Sequence, residues 1–214
     1  RGQSTPQLSL SWRSVTAGAS HTCGLLTNNH VECFGEDLNG KLDHPTVAFT
    51  QISAGAEHTC GIDQFSRLRC WGDNSLGQAS PPTGEFRWIG SGDTFSCAVD
   101  DLGLVSCWGD TAGGRLEVTP PPYAEIGVGL HHACALDGGG GLDCWGADFF
   151  GETNPPAGFF VDLSVGTGHA CAIASDGGVH CWGGDGSDQL AVPLTGAYRQ
   201  SGAGGDFSCS LDWA

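Results

Sequence analysis

Between His58 and Gln78 the chain gathers His58, Cys60, Cys70, Trp71, Asp73, Asn74 and Gln78. Each side chain offers a chemistry. His58, Cys60 and Cys70 could ligate zinc. Cys60 and Cys70 could instead close a disulfide. Trp71 could stack on a sugar, and Asp73 could attract a cation or a basic partner. Spacing begins to choose among these. Zinc sites favour closely spaced Cys-x2–4-Cys pairs, whereas Cys60 and Cys70 stand ten residues apart.

The same spacing recurs along the chain. Cys pairs stand at Cys23/Cys33, Cys60/Cys70, Cys97/Cys107, Cys134/Cys144 and Cys171/Cys181, and each first Cys lies 37 residues before the next. Cys209 follows Cys171 by 38 residues and has no partner in register, so it is expected to be unpaired. The histidine of the motif recurs as His21, His132 and His169 but is replaced by Phe95 and Phe207. A position that accepts Phe is a packing position, so no metal site and no cofactor are expected. His30, His44, His131 and His180 do not align with one another.

The elements that position these residues read as strands. Ile52, Ala54, Ala56, His58, Cys60 and Ile62 alternate at period two, which places them on one face. A turn at 63–67 then returns the chain so that Cys70 opposes Cys60 and Leu68 opposes Ile62. Opposed residues in an antiparallel pair have Cα atoms about 4.5–5.5 Å apart, within the range a disulfide accepts. One cross-strand disulfide per complete copy follows. Pro-bearing links at 81–82, 120–122, 155–156 and 193 join the copies. Pro restricts such links to extended shapes.

Repeats of roughly 20–50 residues build solenoids or propellers. About 37 residues supply roughly four short strands, one propeller blade. The expectation is an all-β propeller, one domain over residues 1–214, with six blades, or seven as the alternative. Gly2-Gln3-Ser4-Thr5-Pro6 matches Gly77-Gln78-Ala79-Ser80-Pro81, and the register also runs through Gly114-Arg115. The two chain ends should therefore share a blade and close the ring. By register roughly ten residues are missing from that blade. Either the sequence is shorter than the native chain or Cys209 is spare.

The run Ala54-Gly55-x-x-His58-Thr59-Cys60-Gly61-Ile62, with Cys70-Trp71-Gly72-Asp73-Asn74-Ser75-Leu76-Gly77-Gln78, resembles the regulator-of-chromosome-condensation repeat family. The resemblance covers nearly the whole chain. It implies a β-propeller, commonly seven-bladed, that recognises proteins through one face of the disc. Repeats of this type also build a secreted inhibitor of β-lactamases. Short repeats, paired Cys and strong acidity mark a difference from the founding nuclear member. They resemble an extracellular variant and speak against nucleosome binding and small-GTPase exchange.

Composition bounds the partners. The net charge is −16, with only eight Lys or Arg. Nucleic-acid affinity comes largely from basic residues neutralising phosphates, so no nucleic acid is expected. No apolar run reaches the roughly 18 residues of a membrane helix, so no membrane insertion is expected. Ten Cys in regular pairs point to an oxidising compartment and a secreted protein. The absence of Met marks a processed or trimmed product.

No Gly-x-Ser-x-Gly elbow, phosphate-cradling loop or His-Glu-x-x-His motif occurs, so the expectation is not an enzyme. Trp71, Trp108, Trp145 and Trp182, with Phe34, read as inter-blade core. Trp12, Trp88 and Trp213 read as the better exposed aromatics. The turn after Trp-Gly carries Glu36, Asp37, Asp73, Asp110, Asp148 and Asp185, the residues placed as a binding surface. Repeated around a ring they would form a negative collar for a cation or a basic partner. Asp in turns also bonds its own backbone, which explains each one without a ligand. The reading is a secreted, non-enzymatic module for a protein or glycan ligand. The alternatives are a structural subunit of a coat or filament, self-assembling through Cys209 or the chain ends, and an axial-site hydrolase or lyase.

Overall fold

The computed structural model describes residues 10–110, 112, 122–191, 196–205 and 207–212. The expectations at residues 2–6, Gly114-Arg115 and Trp213, and the closing of one blade by both chain ends, lie outside them. The strands fall into two compact units.

The first unit holds three sheets. They are β1 (Trp12–Ala17), β2 (His21–Leu26) and β3 (Val31–Gly35); β4 (Phe49–Ala54), β5 (His58–Asp63) and β6 (Leu68–Gly72); and β7 (Phe86–Ser91), β8 (Phe95–Asp100) and β9 (Val105–Gly109). The second unit holds β10 (Tyr123–Val128), β11 (His132–Asp137) and β12 (Leu142–Gly146); β13 (Phe160–Val165), β14 (His169–Ala174) and β15 (Val179–Gly183); and the pair β16 (Tyr198–Ala203) and β17 (Ser208–Asp212). All pairings are antiparallel between sequence neighbours. The class is all-β with a propeller's blade repeat, and six sheets among the described residues fit about six blades.

The sheets correct the reading in two respects. Each complete blade has three strands, not four, among the described residues; in the second blade the link that would make the fourth carries Pro81 and Pro82, which have no N–H to donate. The run from Ile52 to Ile62 is also not one strand. It turns back at 55–57, where Gly55 N donates to His58 O at 2.8 Å. Gly55 is required there: a Cβ would stand 2.3 Å from the carbonyl oxygen of Gly92 in the next blade.

A bulge between Phe49 and Gln51 recurs at the same place in all six first strands. It adds a residue, so Phe49 and Ile52, three apart, both reach the core. Within the first unit, Cys23, Leu25 and Val31 of one sheet pack on Phe49, Ile52 and Trp71 of the next. Cys60, Ile62 and Leu68 repeat this against Phe86, Ile89 and Trp108. In the second unit Cys134 and Leu136 meet Phe160, Leu163 and Trp182.

Candidate functional site

The cysteines are framework. Cys60 faces Cys70 in register, their Cα atoms 4.1 Å apart, and the disulfide is formed. Cys23–Cys33, Cys97–Cys107, Cys134–Cys144 and Cys171–Cys181 are the same. Cys209 is free and exposed.

The histidines are framework too. His21, His58, His132 and His169 are buried. Nε2 of His21 shares a hydrogen bond with Thr59 Oγ1 of the next blade, and Nε2 of His58 does so with Ser96 Oγ, both at 2.8 Å. His169 meets Ser208 Oγ at 2.8 Å. Burial pushes the imidazoles of His58 and His132 down to about 4, so both stay neutral at physiological pH. For His132 of the fourth blade the hydroxyl position in the next blade is Ala170, and its Nε2 has no partner.

The acidic turns lie beside the turn that joins the first two strands of each blade. Asp73 N donates to Glu57 O at 2.8 Å, and Glu36 N to Ser20 O at 2.9 Å. Gly72, before the turn, has φ 97°, and a Cβ there would stand 2.7 Å from Glu57 O.

Six carboxylates that read as one set divide into two structural positions. Asp37, Asp148 and Asp185 accept the backbone N–H five residues on, from Leu42, Thr153 and Leu190, at 3.2, 3.2 and 2.9 Å. Asn74 does the same for Ala79 at 3.0 Å. An amide serves there as well as a carboxylate, so this position needs an acceptor and not a charge. Glu36, Asp73 and Asp110 occupy the preceding place. Asp73 Oδ2 accepts from Ser75 Oγ at 2.8 Å and Gln78 Nε2 at 2.7 Å. Asp110 accepts from Thr94 Oγ1 at 3.4 Å. Glu36 lies 3.6 Å from Lys41 Nζ. Backbone and side-chain donors hold the Asp148 carboxyl below its usual range, so it stays anionic.

The residue eight after each second Cys carried no assigned role in the sequence. Lys41, Gln78 and Glu152 are buried at this position. Gln78 Oε1 accepts Leu76 N at 2.8 Å, and Glu152 Oε2 accepts Phe150 N at 2.6 Å, each closing its own turn. Lys has donors only, so Lys41 reaches out instead, to Ser20 Oγ at 2.6 Å and Glu57 Oε2 at 2.5 Å. Only the shared spacing hinted at this role, because four residue types fill it.

Exposure also corrects the aromatic assignments. Trp12 is half-buried, edge-on to Phe34 at 6.1 Å, and Trp88 is half-buried as well. Trp71, Trp108 and Trp182 are buried as inter-blade core, and Trp145 is buried against Tyr123 of its own blade. The exposed apolar side chains instead include Leu38, Leu76, Phe149 and Phe150 within the acidic turns and Phe65, Leu102 and Phe159 elsewhere, and Phe207, read from sequence as a packing residue, is exposed as well. No group of three His, Cys, Asp or Glu poised for a metal occurs among the described residues.

Known proteins share this architecture. The model for the regulator of chromosome condensation (RCC1) repeat matches residues 12–41, 49–78 and 160–189. A search of curated proteins found no match. Among solved structures, the ectodomain of the Physcomitrella patens receptor kinase CR4 is 25% identical with a TM-score of 0.81, over 95% of this chain and 61% of that one. This chain thus spans less than two thirds of the moss ectodomain. The ectodomain of the Arabidopsis thaliana receptor kinase ACR4 is also 25% identical, TM-score 0.79, over 98% of this chain and 78% of that one. Prp20p from Saccharomyces cerevisiae, characterised for binding Gsp1p and histones, is 16% identical with a TM-score of 0.80, over 95% and 69%. That last likeness concerns the fold. Three stretches of the chain match the RCC1 repeat, and blades of the expected register with a disulfide in each complete blade give it the fold of an RCC1-like β-propeller.

Proposed function

We propose that this chain is a non-enzymatic recognition module in an extracellular setting, binding a protein through the blade ends that carry the acidic turns. The observation that carries this is the pairing of charge with exposed apolar surface in those turns. Leu38 and Leu76 are 57% and 51% exposed beside Asp37 and Asp73, and Phe149 and Phe150 are 68% and 72% exposed beside Asp148. Apolar side chains left in water between carboxylates suit a partner with mixed basic and apolar side chains. A glycan is the weaker reading, because the tryptophans of the repeat, on which a sugar would stack, are in the core. Five disulfides and the two ectodomain neighbours support the extracellular setting. No helix among the described residues is long and apolar enough to cross a membrane. Residues 1–214 are proposed to unfold as one domain, seen as a single calorimetric transition.

The test replaces Asp37, Asp73, Asp110, Asp148 and Asp185 together by Asn, as Asn74 already holds its turn. Wild type and variant are compared for protein capture from the native extracellular fluid and on a glycan array. Loss of a wild-type protein partner at unchanged thermal midpoint supports the reading. Equal capture by both, or glycan binding alone, overturns it. A second reading, a self-assembling structural subunit, rests on the exposed thiol of Cys209. A ladder on non-reducing electrophoresis that collapses on reduction would favour it.

A further inference from the structure

The turn after β12 differs from its equivalents. Residues 147–151 carry two adjacent aromatic rings where the other turns carry Leu38-Asn39, Ser75-Leu76 and Gly186-Ser187. Phe149 and Phe150 are 68% and 72% exposed. Neither ring completes a core. Phe149 stands edge-on to the His131 ring, with centroids 6.1 Å apart and planes at 81°. Phe150 leans over the next blade, where a Cβ on Gly184 would lie 3.7 Å from its Cδ2. Gly184 precedes Asp185, so the second ring sits beside the next acidic turn. The backbone beneath is held firmly. Asp148 accepts from Thr153 N and Asn154 Nδ2, at 3.2 and 2.9 Å, and Phe150 N is tied to buried Glu152 at 2.6 Å. The rings are therefore presented on an ordered turn, which lowers the entropy lost when a partner covers them.

We propose that Phe149 and Phe150, flanked by Asp148 and Asp185, are the anchor of the recognition surface, and that they take a protein segment in which Lys or Arg alternates with apolar side chains. The inference rests on the reading above that the acidic-turn end binds protein, and adds where and what. Three features select a cationic occupant. A guanidinium or ammonium over an aromatic face is attracted by the ring quadrupole. Carboxylates on both sides of the rings neutralise the same charge. The sequence of this unit holds only two Lys or Arg, Arg115 and Arg199, so its charge is strongly negative and favours a cationic partner. An anionic segment would meet the same rings against an unfavourable field. Aromatic side chains, Phe among them, are enriched at protein interfaces over the rest of the surface.

The experiment uses the full chain and three fluorescein-labelled, capped probes: a peptide alternating Leu with Arg, its Leu/Glu counterpart and its Ser/Arg counterpart. Fluorescence anisotropy is followed for wild type, Phe149→Ala, Phe150→Ala, Asp148→Asn with Asp185→Asn, and Asp37→Asn with Asp73→Asn. The expected result is saturable binding of the Leu/Arg peptide. Each Phe substitution should weaken it roughly tenfold or more, and the Asp148/Asp185 pair should weaken it and flatten its salt dependence. The Leu/Glu and Ser/Arg peptides should bind at least tenfold more weakly. Because both rings are exposed, both Phe variants should keep the wild-type thermal midpoint.

Unchanged binding by both Phe variants overturns the anchor. If Asp37→Asn with Asp73→Asn then weakens binding, the broader reading stands and only the location fails. Equal binding of Leu/Arg and Leu/Glu peptides overturns the cationic assignment. Concentration-dependent dimerisation of wild type that Phe149→Ala abolishes, with no peptide bound, overturns the partner in favour of a second copy of the chain.

Discussion

The indole Nε1 of Trp71 donates to the backbone carbonyl of Lys41, 3.1 Å away and 30 residues earlier. The bond joins one blade's last strand to the end of the previous blade's acidic turn. It recurs between Trp108 and Gln78 at 2.9 Å and between Trp182 and Glu152 at 3.0 Å. The Trp-Gly and Gly-Gln pieces of the repeat are thus two halves of one joint.

Trp108→Phe keeps a ring in the core but leaves the Gln78 carbonyl without its donor. The expected loss is about 1–3 kcal/mol of unfolding free energy. Trp108→Ala also opens a cavity and should cost about 3–5 kcal/mol. Urea denaturation of both variants checks the order, and equal losses would show that the hydrogen bond adds nothing.

His132 Nε2 is the imidazole nitrogen without a partner where His21 and His58 find a hydroxyl. Ala170→Ser restores the missing group at the position of Thr59 and Ser96. A gain of about 0.5–1.5 kcal/mol is expected. In a domain of this size that raises the melting temperature by about 2–4 °C per kcal/mol. The control is Ala172→Ser, buried nearby without a waiting partner in the repeat pattern, which should destabilise.

Stability should depend on pH through groups of opposite sign. His58 and His132 titrate near 4 in the fold against an ordinary 6.5. The unfolded chain binds more protons between these values, so their contribution is complete above about 6.5 and is lost as pH falls towards 4. Glu125 is displaced the other way. Burial first, and then the neighbouring Asp162, push its carboxyl from 4.5 to about 7. It holds its proton in the fold while the unfolded chain releases it, so stability falls as pH rises from about 4.5 to 7. Two imidazoles outweigh one carboxyl up to about pH 6.5, and near pH 7 the opposing slopes cancel, so stability is expected to rise from pH 4 to about 6.5 and then level off. Glu125→Gln should raise stability at pH 8 by about 1–3 kcal/mol. Thermal melts from pH 4 to 8 check both slopes.

Lys41 is fully buried, yet Glu57, its main ion-pair partner, is 39% exposed. Removing the lysine therefore leaves a carboxylate that water can reach. Lys41→Ala should cost about 2–4 kcal/mol, mostly lost packing and hydrogen bonds. Lys41→Gln, the residue of the next repeat, should cost less than half of that. High salt should narrow the difference little, because the ammonium is shielded from solvent.

Much of the blade was legible in the residues alone. A ten-residue interval between Cys60 and Cys70 requires a hairpin, and five copies at 37-residue spacing require a blade repeat. The exchange of His for Phe95 marked a packing position before any contact was known. These properties are local: they follow from alternation along a strand and from the reach of a disulfide.

Other properties belong to the way blades meet. Period two alone ran Ile52 to Ile62 together as one strand, because the turn at Gly55 is set by the approach of Gly92 from the next blade. The carboxylates of the turns looked equivalent in sequence. Hydrogen bonding to Leu42, Thr153 and Leu190 separates those that hold a turn from Glu36 and Asp73, which meet side chains instead. Exposure was the least legible property. Trp12 and Phe149 are both aromatic, but one lies against Phe34 and Gly24 while the other is left exposed on a turn, edge-on to His131. Alternation says which way a side chain leaves its strand, but only the neighbouring blade decides whether anything covers it.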